Sequence, residues 1–143
     1  MVKVKICGLS RACDIEYANE AMPDYIGFVF AQSRRRVTFE QAKNLRKRLD
    51  KRIKVAGVFV NAEEADIWQA CREAVIDMVQ LHGQEDESFV RLIKEQCEVP
   101  VIKAVRADTE EDVSSWQDSH ADYLLLDNGP GGTGRAFDWR LAK

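Results

Sequence analysis

The chain has 143 residues, 45% of them hydrophobic and 31% charged, with a net charge of -3. That length suits a single domain, and the charge gives no argument for a nucleic-acid partner or an acidic membrane surface. No apolar run approaches the roughly 20 residues a membrane span requires.

The N-terminal residues Met1-Val2-Lys3-Val4-Lys5-Ile6 lead straight into a strand expected over 2–7, so no signal peptide is expected ahead of it. Cys7 stands at the tip of that strand, followed by Gly8. Most cysteines in such places are small buried hydrophobes. The alternative is a base, which requires a thiol pKa below its ordinary value of about 8.5. The start of the next helix near Ser10, and neighbouring arginines, would supply the positive potential.

Ile15, Ala18 and Met22 share one face of the first helix, and Pro23 stops it. The second strand, 25–30, contains the continuous apolar run Ile26-Gly27-Phe28-Val29-Phe30, as expected of a strand covered on both faces. Ser33-Arg34-Arg35-Arg36 follows it. A solvated basic loop is the bland reading, and a carboxylate or phosphate clamp the functional one.

Thr38-x-x-Gln41 has the form of a capping box for a second helix, on which Ala42, Leu45 and Leu49 form the apolar stripe. Strand 54–60 follows, then an expected capping box Asn61-x-x-Glu64 and a helix lined by Ile67, Ala70, Cys71 and Ala74. Strand 77–81 runs into His82, a candidate proton carrier or ligand-orienting donor. Phe89, Leu92, Ile93 and Cys97 line the fourth helix, and Pro100 opens strand 100–105. Asp108-x-x-Glu111 looks like a third capping box, and His120 falls in a polar loop read as surface.

The last strand, 122–127, ends in Leu124-Leu125-Leu126-Asp127. A buried strand seldom finishes in a carboxylate without a use for it, although Asp127 could simply start the turn Asn128-Gly129-Pro130. The loop 128–135 holds four of the chain's eight glycines and carries neither a Walker pattern nor a dinucleotide fingerprint. A helix barely begins over 137–143.

The four cysteines form no Cys-x-x-Cys pair, and three fall in expected helices, which suits a reduced, cytoplasmic protein. Two lone histidines and no Cys/His cluster argue against a metal. Alternating strands and helices call for a parallel sheet with right-handed crossovers. An open doubly wound sheet and a β/α barrel both satisfy this. A closed barrel takes about eight βα units and typically some 200 residues or more, so on that reading the chain stops about two units short.

Taken in order, Lys5-Ile6-Cys7-Gly8, Gly27-Phe28-Val29-Phe30 with Ser33-x-Arg35, Gly57-Val58-Phe59-Val60, Gln80-Leu81-His82-Gly83, Lys103-Ala104, and Leu126-Asp127 with Gly131-Gly132-Thr133-Gly134 and Phe137-Asp138-Trp139 resemble the phosphoribosylanthranilate isomerase family of tryptophan biosynthesis. The resemblance covers essentially the whole chain. It implies an α/β fold, a TIM-type parallel (β/α) barrel of which about six of the eight units are present. It also implies an Amadori rearrangement of N-(5-phosphoribosyl)anthranilate to 1-(2-carboxyphenylamino)-1-deoxyribulose 5-phosphate, without metal or organic cofactor.

In that family's pattern Asp127 is the general acid and Cys7 the general base. Arg35 matches the position expected to hold the anthranilate carboxylate, though Arg34 and Arg36 flank it and leave the register open. Arg36 stands where the pattern often has a non-basic residue. His82 matches a supporting polar group, and Gly131, Gly132, Thr133 and Gly134 match a segment closing over substrate. The family continues with two further βα units that bind the substrate phosphate. Residues 1–143 are therefore expected to form one barrel domain lacking those units, with sheet edges open to self-association. Two other readings stay in view: a truncated fragment without catalysis of its own, and a different phosphosugar-binding barrel.

Overall fold

The computed structural model describes residues 1–128, together with 138 and 140. The glycine-rich segment Gly131, Gly132, Thr133 and Gly134 lies outside the described residues, as does most of the helix expected over 137–143.

Strands and helices alternate: β1 Lys5–Cys7, α1 Ala12–Ala21, β2 Tyr25–Val29, α2 Phe39–Arg48, β3 Lys54–Phe59, α3 Glu64–Arg72, β4 Met78–Leu81, α4 Glu87–Cys97, β5 Val101–Arg106, α5 Glu110–Ser114 and β6 Tyr123–Asp127. All neighbouring strands pair in parallel, and their order in the sheet is their order in the chain. That order decides between the two architectures that the strand–helix alternation alone left open, in favour of the one the resemblance implied. A doubly wound sheet reverses its strand order at a switch point, whereas a β/α barrel adds each strand beside the last. The chain forms the second: six consecutive strands of a TIM-type barrel.

One face of the sheet is covered by the helices. Ile26, Phe28, Val55, Phe59, Val79, Leu81 and Val101 from the strands pack with Ile15 and Ala18 of α1, Ala42 and Leu45 of α2, Ile67 and Ala70 of α3, and Val90 and Ile93 of α4. Each of these four helices contributes buried residues three apart, the spacing of an amphipathic stripe, whereas α5 contributes none. The concave face carries a smaller apolar cluster of Ala56, Met78 and Ile102, with Leu125 against it. Phe28 is fully buried, and truncation there to Ala would cost about 3–5 kcal/mol.

Three aspartates tie down the lower rim by one repeated device. Asp24, Asp77 and Asp122 stand just before β2, β4 and β6, and each accepts a hydrogen bond from a backbone N–H at the start of the preceding strand, Val4, Val55 and Val101, at 2.8 Å each. A carboxylate there satisfies a donor that the ladder leaves over. Asp77 is also paired with Arg46, and Asp122 with Lys94.

Local details depart from the sequence expectations in instructive ways. The Thr38–Gln41 capping box forms in both directions. Asn61 does not cap α3: its backbone is left-handed at φ 49°, and its side chain instead accepts from Gln84 N at 2.7 Å. The box before α5 sits one residue later, between Thr109 and Asp112. The first strand starts at Lys5 rather than residue 2, because Val2 and Val4 are exposed.

Candidate active site

The upper, C-terminal rim collects the polar side chains. Cys7 is in register with Gly27 on β2. A Cβ at position 27 would lie 2.5 Å from Cys7 Sγ, so only glycine leaves room for the thiol where it stands. The turn after it is equally tight. Gly8 has φ +88°, its N–H donates to Gly27 O at 2.9 Å, and a Cβ there would meet the Arg35 side chain at 2.7 Å. Arg35 lies across this turn, with Nη1 donating to Cys7 O at 3.2 Å. Arg36 reaches Gln32 instead, at 3.5 Å. Of these two, Arg35 is the one brought to the Cys7 end.

Side chains alternate across a strand, so Cys7 shares the concave face with Lys5, and His82 follows Gln80 on the concave side of β4. Lys5 Nζ donates to Gln80 Oε1 across the interior, tying β1 to β4. Burial pushes the Lys5 ammonium below its ordinary value, and the neighbouring Cys7 opposes that shift. Gln80 Nε2 lies 2.9 Å from His82 Nδ1, and His82 Nε2 lies 3.0 Å from Asp127 Oδ2. The other carboxylate oxygen of Asp127 accepts from Asn128 N at 2.9 Å. His82, Gly83, Gln84, Ala104, Arg106 and Asp127 enclose a cavity of about 220 Å³ at the mouth. Arg106, in register with Asp127, is ion-paired with Asp108.

Behind the rim, on the helix side, Lys103 and Glu85 form a pair at 3.0 Å, each only 3% exposed. Glu85 accepts from Asn61 N and Gly83 N, both at 2.8 Å, and Lys103 donates to Gly83 O at 2.8 Å under the Trp116 ring. Burial raises the Glu85 carboxyl, but the hydrogen bonds from Asn61 and Lys103 outweigh it and leave it below the ordinary carboxylate range. This cluster joins the loops after β3 and β4 to strand β5, and so fixes the loop that carries His82.

The structure thus brings together two groups anticipated from sequence: Cys7 with Arg35, and His82 with Asp127. Lys5, Gln80 and Arg106 enter the site without having been singled out. Their signal in sequence is the alternation itself, which puts polar side chains on the concave face between apolar ones. His120 is exposed and bound to Glu87, as expected of a surface residue.

Comparison with known proteins agrees with this geometry. The sequence matches the family described as N-(5'-phosphoribosyl)anthranilate (PRA) isomerase over residues 4–143. It is 44% identical to the N-(5'-phosphoribosyl)anthranilate isomerase of Endomicrobium trichonymphae, covering 100% of this chain and 72% of that one. The corresponding protein of Clostridium kluyveri is 41% identical over 143 residues, 70% of its length. Among solved structures, phosphoribosyl anthranilate isomerase from Thermus thermophilus superimposes with a TM-score of 0.87 at 31% identity, over 99% of this chain and 70% of that one. A phosphoribosyl anthranilate isomerase in complex with reduced 1-(o-carboxyphenylamino)-1-deoxyribulose 5-phosphate gives 0.82 at 34% identity, over 99% of this chain and 68% of that one. Sequence, strand order and superposition converge, and the chain belongs to the N-(5'-phosphoribosyl)anthranilate isomerase family, a family of isomerases of tryptophan biosynthesis.

Proposed function

We propose that this chain carries the acid and the base of the Amadori rearrangement of N-(5-phosphoribosyl)anthranilate to 1-(2-carboxyphenylamino)-1-deoxyribulose 5-phosphate. Asp127 protonates the furanose ring oxygen as the C1'–O bond breaks, and the anilino nitrogen lone pair closes the iminium. The iminium acidifies C2'–H, which the Cys7 thiolate removes to give an enolamine. Tautomerisation then moves a proton to C1' and leaves the ketone at C2'. Every electron pair is accounted for within the substrate, and positioned acid and base groups each contribute about 10²-fold or more. Arg35 holds the anthranilate carboxylate.

The observation that carries this reading is placement. Cys7 ends β1, Asp127 ends β6, and the polar chain Lys5–Gln80–His82 leads across the concave face from the Cys7 strand to Asp127. The test is turnover of the substrate by Cys7→Ser and Asp127→Asn in the protein with its barrel complete. Each is expected to lose about 100-fold or more. Turnover within about threefold of the parent in either variant would remove that residue from its role.

The outer edges support a further element of the proposal, self-association. The paired order leaves one edge of β1 and one of β6 without a strand partner among the described residues. Val2, Val4, Ile6 and Tyr123 are exposed along them, and a groove of about 390 Å³ beside β1 is lined by Ile6, Leu9 and Tyr17 together with Arg11, Asp14 and Arg35. Two more βα units would close these edges, and the chain spans 72% of the Endomicrobium trichonymphae relative. Without such cover the 143 residues self-associate through the open edges. The helices among the described residues are not long and apolar enough to cross a membrane. Four free cysteines support placing the protein in the reducing cytoplasm.

A further inference from the structure

We propose that Gln80, oriented by Lys5, is a positioning residue that fixes His82 as the neutral imidazole with its proton on Nε2, so that His82 acts as a hydrogen-bond donor to Asp127 and not as a proton carrier. The inference rests on the acid role proposed above for Asp127.

Donors and acceptors alternate along one chain of contacts from Lys5 to Asp127. A lysine ammonium has only donors, so the Gln80 atom facing Lys5 is the amide oxygen. The Gln80 NH2 is then left pointing at His82 Nδ1, 2.9 Å away. An NH2 group has only donors too, so Nδ1 is an acceptor and carries no proton. The imidazole proton therefore sits on Nε2, 3.0 Å from Asp127 Oδ2, which accepts it.

Both alternatives set donors against each other. A proton on Nδ1 would face the Gln80 NH2. Turning the amide over to receive that proton would put its NH2 against the Lys5 ammonium. Gln80 is 2% exposed, so water is not at hand to relieve either clash. The lock is remote in sequence, because Lys5 and Gln80 lie 75 residues apart and on strands that do not pair.

The consequence for the reaction is specific. A proton relay through His82 would require loading Nδ1 while Nε2 discharges, and Gln80 blocks that. What His82 gives is a fixed N–H aimed at the carboxylate that Asp127 becomes after it has protonated the ring oxygen. It stabilises the state in which the sugar ring has just opened. The same Lys5 shares the concave side of β1 with Cys7, so one cation lies near the base and, through Gln80, orders the neighbour of the acid.

Long-range 15N–1H correlation spectra of the imidazole rings test this directly, with His120→Gln identifying the His82 signals. The parent protein is expected to show the Nε2–H form. Because free imidazole in water also favours that form, the deciding variant is Gln80→Glu. An introduced carboxylate can only accept, so Nδ1 is expected to gain a proton, whether or not Nε2 keeps its own toward Asp127. An Nδ1 that stays bare in Gln80→Glu, or one that carries a proton in the parent, overturns the proposal. If Gln80→Glu fails to fold, Lys5→Met decides by the same signal. Freeing the amide to turn over should let the Nδ1–H form appear, and a pure Nε2–H spectrum overturns the lock. The spectra need no substrate, so full turnover in Asp127→Asn would end the acid assignment while leaving the tautomer result to stand or fall by itself.

Discussion

Two carboxylates sit within one loop's reach of each other and live in opposite surroundings. Glu85 is buried with Lys103, each 3% exposed, and its oxygens are filled by two backbone N–H groups and the ammonium. Asp127 and His82 are each 33% exposed and open onto the mouth cavity. Both pairs depend on the segment from His82 to Glu85. The difference teaches how to tell a clamp from a tool. A carboxylate with every acceptor filled and no path to solvent holds loops together, and one with a single side-chain partner facing a cavity can exchange a proton with what enters it.

The sharpest way to break this contrast is to unpair the buried side. Lys103→Met leaves the Glu85 charge without its partner and is expected to cost about 3–5 kcal/mol of stability, read from denaturant unfolding. Changing both residues to apolar ones of similar volume should recover a large part of that loss. Asp127→Asn should do the reverse, costing about 100-fold in turnover with the unfolding midpoint nearly unchanged. Equal effects of Lys103→Met and Asp127→Asn on stability would erase the distinction.

Next in size come the arginines. Arg35→Ala should weaken transition-state binding by about 1.5–3 kcal/mol in kcat/KM, the worth of a charged hydrogen bond, and Arg34→Ala much less. The larger loss at Arg34 or Arg36 would assign the carboxylate to that residue instead. Gly27→Ala should lower turnover with little effect on KM, because its methyl group would displace Cys7 Sγ.

The smallest effect is with pH. The folded carboxyl of Glu85 lies below its ordinary value of 4.5, so the unfolded chain binds that proton more readily. Its contribution is complete above about pH 4.5 and is lost as pH falls through the folded value. Glu85→Gln should flatten the acid limb of the stability curve. A curve as steep as the parent's would show that the pair does not drive it.

Much of the fold was legible because the strands are continuous apolar runs and the helices carry stripes at three- and four-residue spacing, as in Ile26-Gly27-Phe28-Val29 and Val90 with Ile93. Strand order was not legible from pattern alone, which permits a reversal; the family resemblance implied the barrel order, and the pairing of each strand with the next bears it out. The rim residues Cys7, Arg35, His82 and Asp127 stood out because each follows or ends an apolar strand. Lys5 and Gln80 did not, since each looks like an ordinary polar position until the curvature of the sheet brings them together. The misplaced cap at Asn61 has a similar cause. Its side chain is used by Gln84, 23 residues later, and local spacing cannot report a distant donor.

The central claim is the division of labour between Cys7 and Asp127, and a substrate carrying deuterium at C2' tests it most directly. In the protein with its barrel complete, Cys7→Ser should make removal of that atom rate-limiting and raise the kinetic isotope effect on kcat above the parent's. Asp127→Asn should make ring opening limiting and bring the effect down toward unity. The same isotope effect in both variants, or the larger one in Asp127→Asn, would contradict the account.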